Sequence, residues 1–187
     1  MANRTFKKFT IQAGGTPQPL VGTWVTASTG PSAADFQGET LANIPVNDSS
    51  MFKQGDYALF QTVTLTVPEL VRVQKVPDST HITVRGLVNV RTGGAFGTGD
   101  FVSLSLPINR PYIQSTPGNA ALLYVGTAGI VKATFANVIA TLQFVSAGTQ
   151  PLEFVDGRNY TADPMQASDL WIDGTTSDGY LPSFGIA

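Results

Sequence analysis

Residues 52–91 read FKQGDYALFQTVTLTVPELVRVQKVPDSTHITVRGLVNVR, and this stretch decides the fold. After Gly55-Asp56, Val63, Leu65 and Val67 alternate with Thr62, Thr64 and Thr66, the period of a half-buried strand. Pro68 closes that run and Leu70 to Val76 forms a second. Pro77-Asp78-Ser79 reads as a turn, because proline presets φ and short polar side chains bond nearby backbone. In the third run Ile82, Val84, Val88 and Val90 share one parity while Thr83, Arg85 and Asn89 take the other, with Gly86 as a bulge or bend. Three β-runs joined by short turns predict a meander, the start of a small antiparallel barrel or sandwich.

Working outward, the same alternation recurs. Val102, Leu104 and Leu106 interleave with Ser103 and Ser105, a strand that Pro107 and Pro111 are expected to end. Ala120 to Val125, Ile130 to Phe135 and Val138 to Val145 read as three more strands, with Val138, Ala140, Leu142 and Phe144 on one face. The rival reading of 130–145 as helix is disfavoured by its β-branched residues. The sequence therefore predicts an all-β chain: a β-barrel or sandwich core over 51–150 with extended N- and C-terminal segments, within one domain of 187 residues.

Of the N-terminal strands or arm, 1–50, Phe6 to Ile11 is a strand candidate. Leu20, Gly22, Trp24 and Thr26 share a strand face with Trp24 as its core anchor, and Phe36 to Asp48 reads as irregular. The C-terminal arm, 151–187, is acidic and aromatic. It carries Asp156, Asp163, Asp169, Asp173 and Asp178 beside Tyr160, Trp171, Tyr180 and Phe184. Asp163-Pro164 is an N-cap and first-turn pair, which predicts one short helix over Pro164 to Leu170. These aromatics are the candidate partner-binding anchors, on an arm that reaches a neighbour or folds back on its own barrel. Residues 13–20 and 147–152 echo one another, and two independent Gly-Pro turns account for that.

Charged residues make 13% of the chain, about half the roughly 25% usual in soluble domains. The polar positions are filled by Thr, Ser, Gln and Asn, a surface suited to meeting other protein. A net charge of −2 gives no footprint for nucleic acid, whose binding rests on clustered Lys and Arg. With no cysteine there is neither a disulfide framework nor a thiolate site. No secretory signal is visible after Met1, and no apolar run reaches membrane-spanning length, so the chain is expected to be soluble and made in the cytoplasm.

Chemistry finds little to work with. His81 is the single histidine and alternates onto the outer face of a strand, without the context of a nucleophile elbow. The Gly93–Asp100 loop lacks the spacing of a phosphate cradle. Asp173 and Asp178 are hard oxygen ligands near glycines, yet the calcium-loop pattern is missing and Asp-Gly turns account for both. The expectation is a non-enzyme with no cofactor and no metal.

Gly55-Asp56-Tyr57, Glu69-Leu70-Val71-Arg72-Val73, His81-Ile82-Thr83-Val84-Arg85-Gly86 and Ala121-Leu122-Leu123-Tyr124-Val125-Gly126 together resemble the small β-barrel segments of accessory virion proteins of tailed bacteriophages. The resemblance covers about the middle half of the chain. It implies a structural virion protein, made in the host cytoplasm, that decorates or cements the head by contact with the major capsid protein or other virion proteins. A homo-oligomer is expected to go with it, since symmetry favours closed rings, with a trimer as the first guess. A tail or head-tail accessory protein is the alternative within that family. A carbohydrate-binding or adhesin-like module, with Trp171, Tyr160 and Tyr180 as exposed stacking platforms, is the alternative outside it.

Overall fold

Strand and turn succeed one another along the chain, and no α-helix interrupts them among the described residues. The computed structural model describes residues 3–26, 41–61, 68–86, 98–142, 152–153 and 165–186. In chain order these form β1 (Asn3–Thr5), β2 (Phe9–Thr10) and β3 (Gln18–Pro19). There follow β4 (Gly22–Trp24), β5 (Leu41–Pro45), β6 (Tyr57–Gln61), β7 (Glu69–Asp78), β8 (His81–Gly86) and β9 (Phe101–Ser105). The last group is β10 (Pro107–Ser115), β11 (Leu123–Val131), β12 (Ala136–Leu142), β13 (Leu152–Glu153), β14 (Met165–Gln166), β15 (Trp171–Asp173) and β16 (Gly179–Ile186). All the pairings between described strands are antiparallel, so the all-β expectation is met.

The chain divides into two units, Val21–Leu106 on one side and Met1–Leu20 with Pro107–Ala187 on the other. These boundaries differ from the expected division at 50 and 150. In the central unit one sheet runs β4-β9-β6-β7-β8-β5. The meander β6-β7-β8 lies within it, although Val63, Leu65 and Val67 fall outside the described residues, as do Val88 and Val90. Asp78 pairs with His81, leaving Ser79-Thr80 as a two-residue hairpin turn, and Asp78 Oδ1 accepts the Thr80 N–H at 2.7 Å. Val71, Val73, Ile82, Val84, Val102 and Leu104 are fully buried, the parity read from the sequence. Each such side chain contributes about 1.5–3 kcal/mol by leaving water.

Three local expectations are corrected in this unit. The bulges interrupt β7, on either side of Lys75, rather than forming at Gly86. Val21, Thr23 and Val25 are buried while Trp24 is half-exposed and packs on Phe101 at 3.9 Å between ring centroids. The smaller residues take the core parity there, and the indole takes the other face. Within the stretch expected to be irregular, Leu41–Pro45 forms β5. It lies at the end of the sheet order, where proline's missing N–H is tolerated.

The terminal unit builds two sheets. One has the path β1-β16-β10-β13, with β2 also on β16 and β14 also on β10, and the other has the order β12-β11-β15-β3. Pro107 and Pro111 do not end a strand but lie in β10, Pro107 at its first residue and Pro111 inside the irregularity between Asn109 and Tyr112. Those are the two places where a strand loses least by lacking an N–H. β16 meets β1 through Ser183–Gly185 and β2 through Gly179–Tyr180, and Pro182 marks the gap between them. The described parts of the chain ends, 3–20 and 165–186, thus contribute sheet strands to this unit and do not stand apart as arms. The expected helix over 164–170 is a single 3-10 turn at Ala167–Asp169 preceded by β14, and Asp163-Pro164 lies outside the described residues. Three expected strands over 120–145 become the one hairpin β11–β12.

Candidate interaction surface

Antiparallel pairing of β16 with β10 carries the C-terminal aromatics into the core. Tyr180 and Phe184 are fully buried and Trp171 nearly so. Tyr180 stacks on Phe9 with centroids 5.6 Å apart, and Phe184 meets Phe6 edge-on at 5.6 Å. The Tyr180 hydroxyl accepts a hydrogen bond from Gln18 Nε2 at 3.1 Å, and burial pushes its phenol far above the ordinary range. Gln18 in turn donates to Thr10 O and accepts the Gln12 N–H. Trp171, Tyr180 and Phe184, read from the sequence as partner-binding anchors, thus lie buried in this chain: β15 is buried on both faces, and in β16 Tyr180 and Phe184 share the inward parity. Tyr160 lies outside the described residues.

Asp173 and Asp178 are also buried, and backbone amides bond Asp173 Oδ1 and both oxygens of Asp178. Asp173 Oδ1 accepts from Gly174 N at 2.7 Å and Gly15 N at 3.0 Å, with Lys132 Nζ at 3.4 Å. Asp178 accepts from Ala120 N at 2.6 Å on Oδ1 and from Thr175 N at 3.1 Å on Oδ2. A cation would have to displace these donors. The pair stitches the turn at 174–178 to residues 15 and 120, so its chemistry is that of an Asp-Gly turn. Among the described residues no group of three or more His, Cys, Asp or Glu is placed to hold a metal. His81 is partly exposed at the β7–β8 hairpin, its Nδ1 3.0 Å from Asp78 Oδ1.

The exposed apolar side chains gather elsewhere. Phe135 is 58% exposed, Ile139 49% and Val131 46%, all on the β11–β12 hairpin. Its geometry is fixed by the backbone. Phe135 and Asn137 both take positive φ, 57° and 58°, and the register slips between Val125 and Gly126. A Cβ on Gly126 would fall 1.9 Å from Asn137 O, so only glycine admits the crossing strand at that point. Asn137 Nδ2 donates back to Ala128 O and Gly129 O, at 3.3 and 3.0 Å. Behind the tip, Phe135 leans on Tyr124 at 5.9 Å, and Lys132 Nζ lies 6.0 Å from the same ring.

A bulky residue in the left-handed region is uncommon, since its Cβ crowds the backbone. Here such a residue is held with most of its ring in water. β12 carries no charged residue and stands at the end of its sheet order among the described strands, so neither Lys nor Pro guards it. The sequence reading found the inward parity Val138, Ala140 and Leu142 but not the outward one. The signal was present, because Ile139 puts a β-branched apolar residue on the second face of the same strand. The chain matches no protein-family model, no curated protein and no solved structure.

Proposed function

We propose that this chain is a non-catalytic structural protein of a tailed-bacteriophage particle, held to other virion proteins through the β11–β12 hairpin. The observation that carries the reading is the hairpin on which Val131, Phe135 and Ile139 are all exposed, its second strand β12 carrying no charged residue. Apolar and aromatic side chains presented together on a rigid strand pair are what a protein interface uses for its central contacts. Head decoration is the form we favour, with the major capsid protein as partner and a symmetric homo-oligomer, a trimer in the first instance, as the unit that binds. On a lattice each bound copy raises the local concentration of the next contact, so a small hairpin patch suffices. Of the three platforms of the sugar-binding alternative, Trp171 and Tyr180 are buried and offer no open ring face for stacking, and Tyr160 lies outside the described residues.

Electron cryo-microscopy of the encoding phage tests this. The reading expects repeated density for the chain on the particle, with residues 131–139 against a neighbouring protein. Purified particles without the chain would overturn it.

A further inference from the structure

Among the described residues, β12 differs from the other strands that end a sheet. The end strands of the central sheet, β4 and β5, are joined to each other: Val25 bridges Val46, the Thr26 N–H reaches Pro45 O at 3.1 Å and the Asn47 N–H reaches Trp24 O at 2.9 Å. In the terminal unit β1 has three residues with Arg4 at its centre, β13 has two including Glu153, and β3 has two including Pro19. Shortness, charge and proline are means by which a sheet edge is closed to another chain. β12 has seven residues and none of these three guards. Asn137, at positive φ, ends its extended run on one side, and past the slip opposite Gly126 the strand lies regularly on Val125, Tyr124 and Leu123. The bonds of residues 136–142 go to β11 and to the hairpin's own turn. Ile139 and Thr141 are exposed, and Val138 and Ala140, on the inward parity, are only half-buried, whereas Leu142 is buried. The inner face of the sheet is therefore unfinished at this edge.

We propose that β12 pairs antiparallel with β12 of a second copy of the chain across a two-fold axis at Ala140, joining two four-stranded sheets into one. The residues of the strand select this occupant. About Ala140 the axis sets Val138 opposite Leu142 of the partner subunit, and Ile139 opposite Thr141 of the partner subunit. Apolar side chains then meet on the inner face and β-branched ones on the outer, pairs that stabilise a sheet. A two-fold axis sets like charges near one another on any charged strand, and this run has none. The axis itself falls on the smallest side chain of 138–142. A second copy offers, among the described residues, no other edge as long and as unguarded, so β12 meets itself. The pairing uses the strand edge and leaves Phe135, outside the run, to the virion contact proposed above. Being two-fold, it joins neighbouring units on a lattice, whatever rotational symmetry each unit has.

Sedimentation velocity of the full chain across concentration tests this without phage particles. A reversible species of twice the mass of the smallest one is expected, and the amides of 138–142 should exchange more slowly with deuterium as concentration rises. Ile139→Lys with Thr141→Lys sets lysine opposite lysine at both outer pairs and should weaken association at least about tenfold. Ile139→Lys with Thr141→Glu sets each lysine opposite a glutamate and should restore most of it, a recovery specific to this register. Both positions are exposed, so both variants should melt with the parent. Phe135→Asn should associate as the parent does, so loss of particle binding in that variant bears on the virion reading alone. A parent that stays a single species at millimolar concentration would overturn the proposal. So would associated parent without protection at 138–142, parental association in the folded double-lysine variant, or no recovery with the glutamate.

Discussion

Gly15 and Asp173, 158 residues apart in the chain, are joined by a hydrogen bond of 3.0 Å from the Gly15 N–H to Asp173 Oδ1. The same oxygen takes the Gly174 N–H and faces Lys132, so one buried carboxylate ties the N-terminal segment, β15 and the turn of the β11–β12 hairpin together. Asp173→Ala would leave the buried Gly174 N–H without its acceptor, while Gly15 N and Lys132 Nζ would keep Gly174 O, at 3.4 and 3.2 Å. The expected loss is about 1–3 kcal/mol, the cost of one buried donor left unsatisfied. Asp173→Asn keeps an acceptor and should cost less. Lys132→Met should change little, because its partly exposed ion pair is screened by water. Thermal melts of the three variants check the ranking.

Gly126→Ala should damage the hairpin that displays Phe135. The added methyl would meet Asn137 O at 1.9 Å, and that obstacle is backbone rather than a movable side-chain end. Overpacking of this kind costs about 1–3 kcal/mol or somewhat more. Amide spectra should place the largest shifts at 124–126 and 137–140.

Removing residues 151–187 should unfold the terminal unit. The sequence alone reads these residues as an arm outside a barrel core at 51–150. In the structure the deletion takes β16 away from β1, β2 and β10, and β15 away from β11 and β3. Amides of residues 107–142 should collapse to random-coil positions in a nitrogen-proton correlation spectrum. Retained dispersion there would contradict the topology.

Why the meander was legible and the C-terminal strands were not has a physical basis. Val71, Val73, Ile82 and Val84 alternate with polar neighbours, and their pairing partners are close in sequence, so local pattern and tertiary structure agree. β16 is punctuated by Gly179, Pro182 and Gly185, residues that read as loop. Its strand state comes from β10 and β1, which lie far off in the chain and leave no local trace. Trp24 misled in the opposite sense. Its size suggested a core anchor, while Val21 and Val25 hold the buried parity. The candidate site was missed for a related reason: the aromatics of the last segment drew the reading away from Phe135, whose exposure depends on an unusual φ that sequence pattern does not report.

The β7–β8 hairpin should respond to acid. The Thr80 backbone N–H, with further help from His81, holds the Asp78 carboxyl down from 3.8 to about 2. A carboxyl lowered in the folded state stabilises the hairpin above its ordinary pKa, and that contribution is lost as pH falls from 3.8 through about 2. The Thr80 and His81 amide resonances should therefore move over this window. His81→Ala should raise the midpoint by removing one of the groups that favour the ionised form.

Binding to particles tests the account most directly. Phe135→Asn with Ile139→Thr removes the two most exposed apolar side chains of the hairpin, and asparagine tolerates positive φ, so the fold should be retained. Parent and variant are mixed with particles of the encoding phage that lack the chain, and co-sedimentation is measured across concentration. The account predicts saturable binding of the parent at a fixed ratio to the major capsid protein. The variant, melting as the parent does, should bind at least about tenfold more weakly, as removal of central interface contacts costs roughly 2 kcal/mol or more. Equal binding by a folded variant, or no binding by the parent, would contradict it.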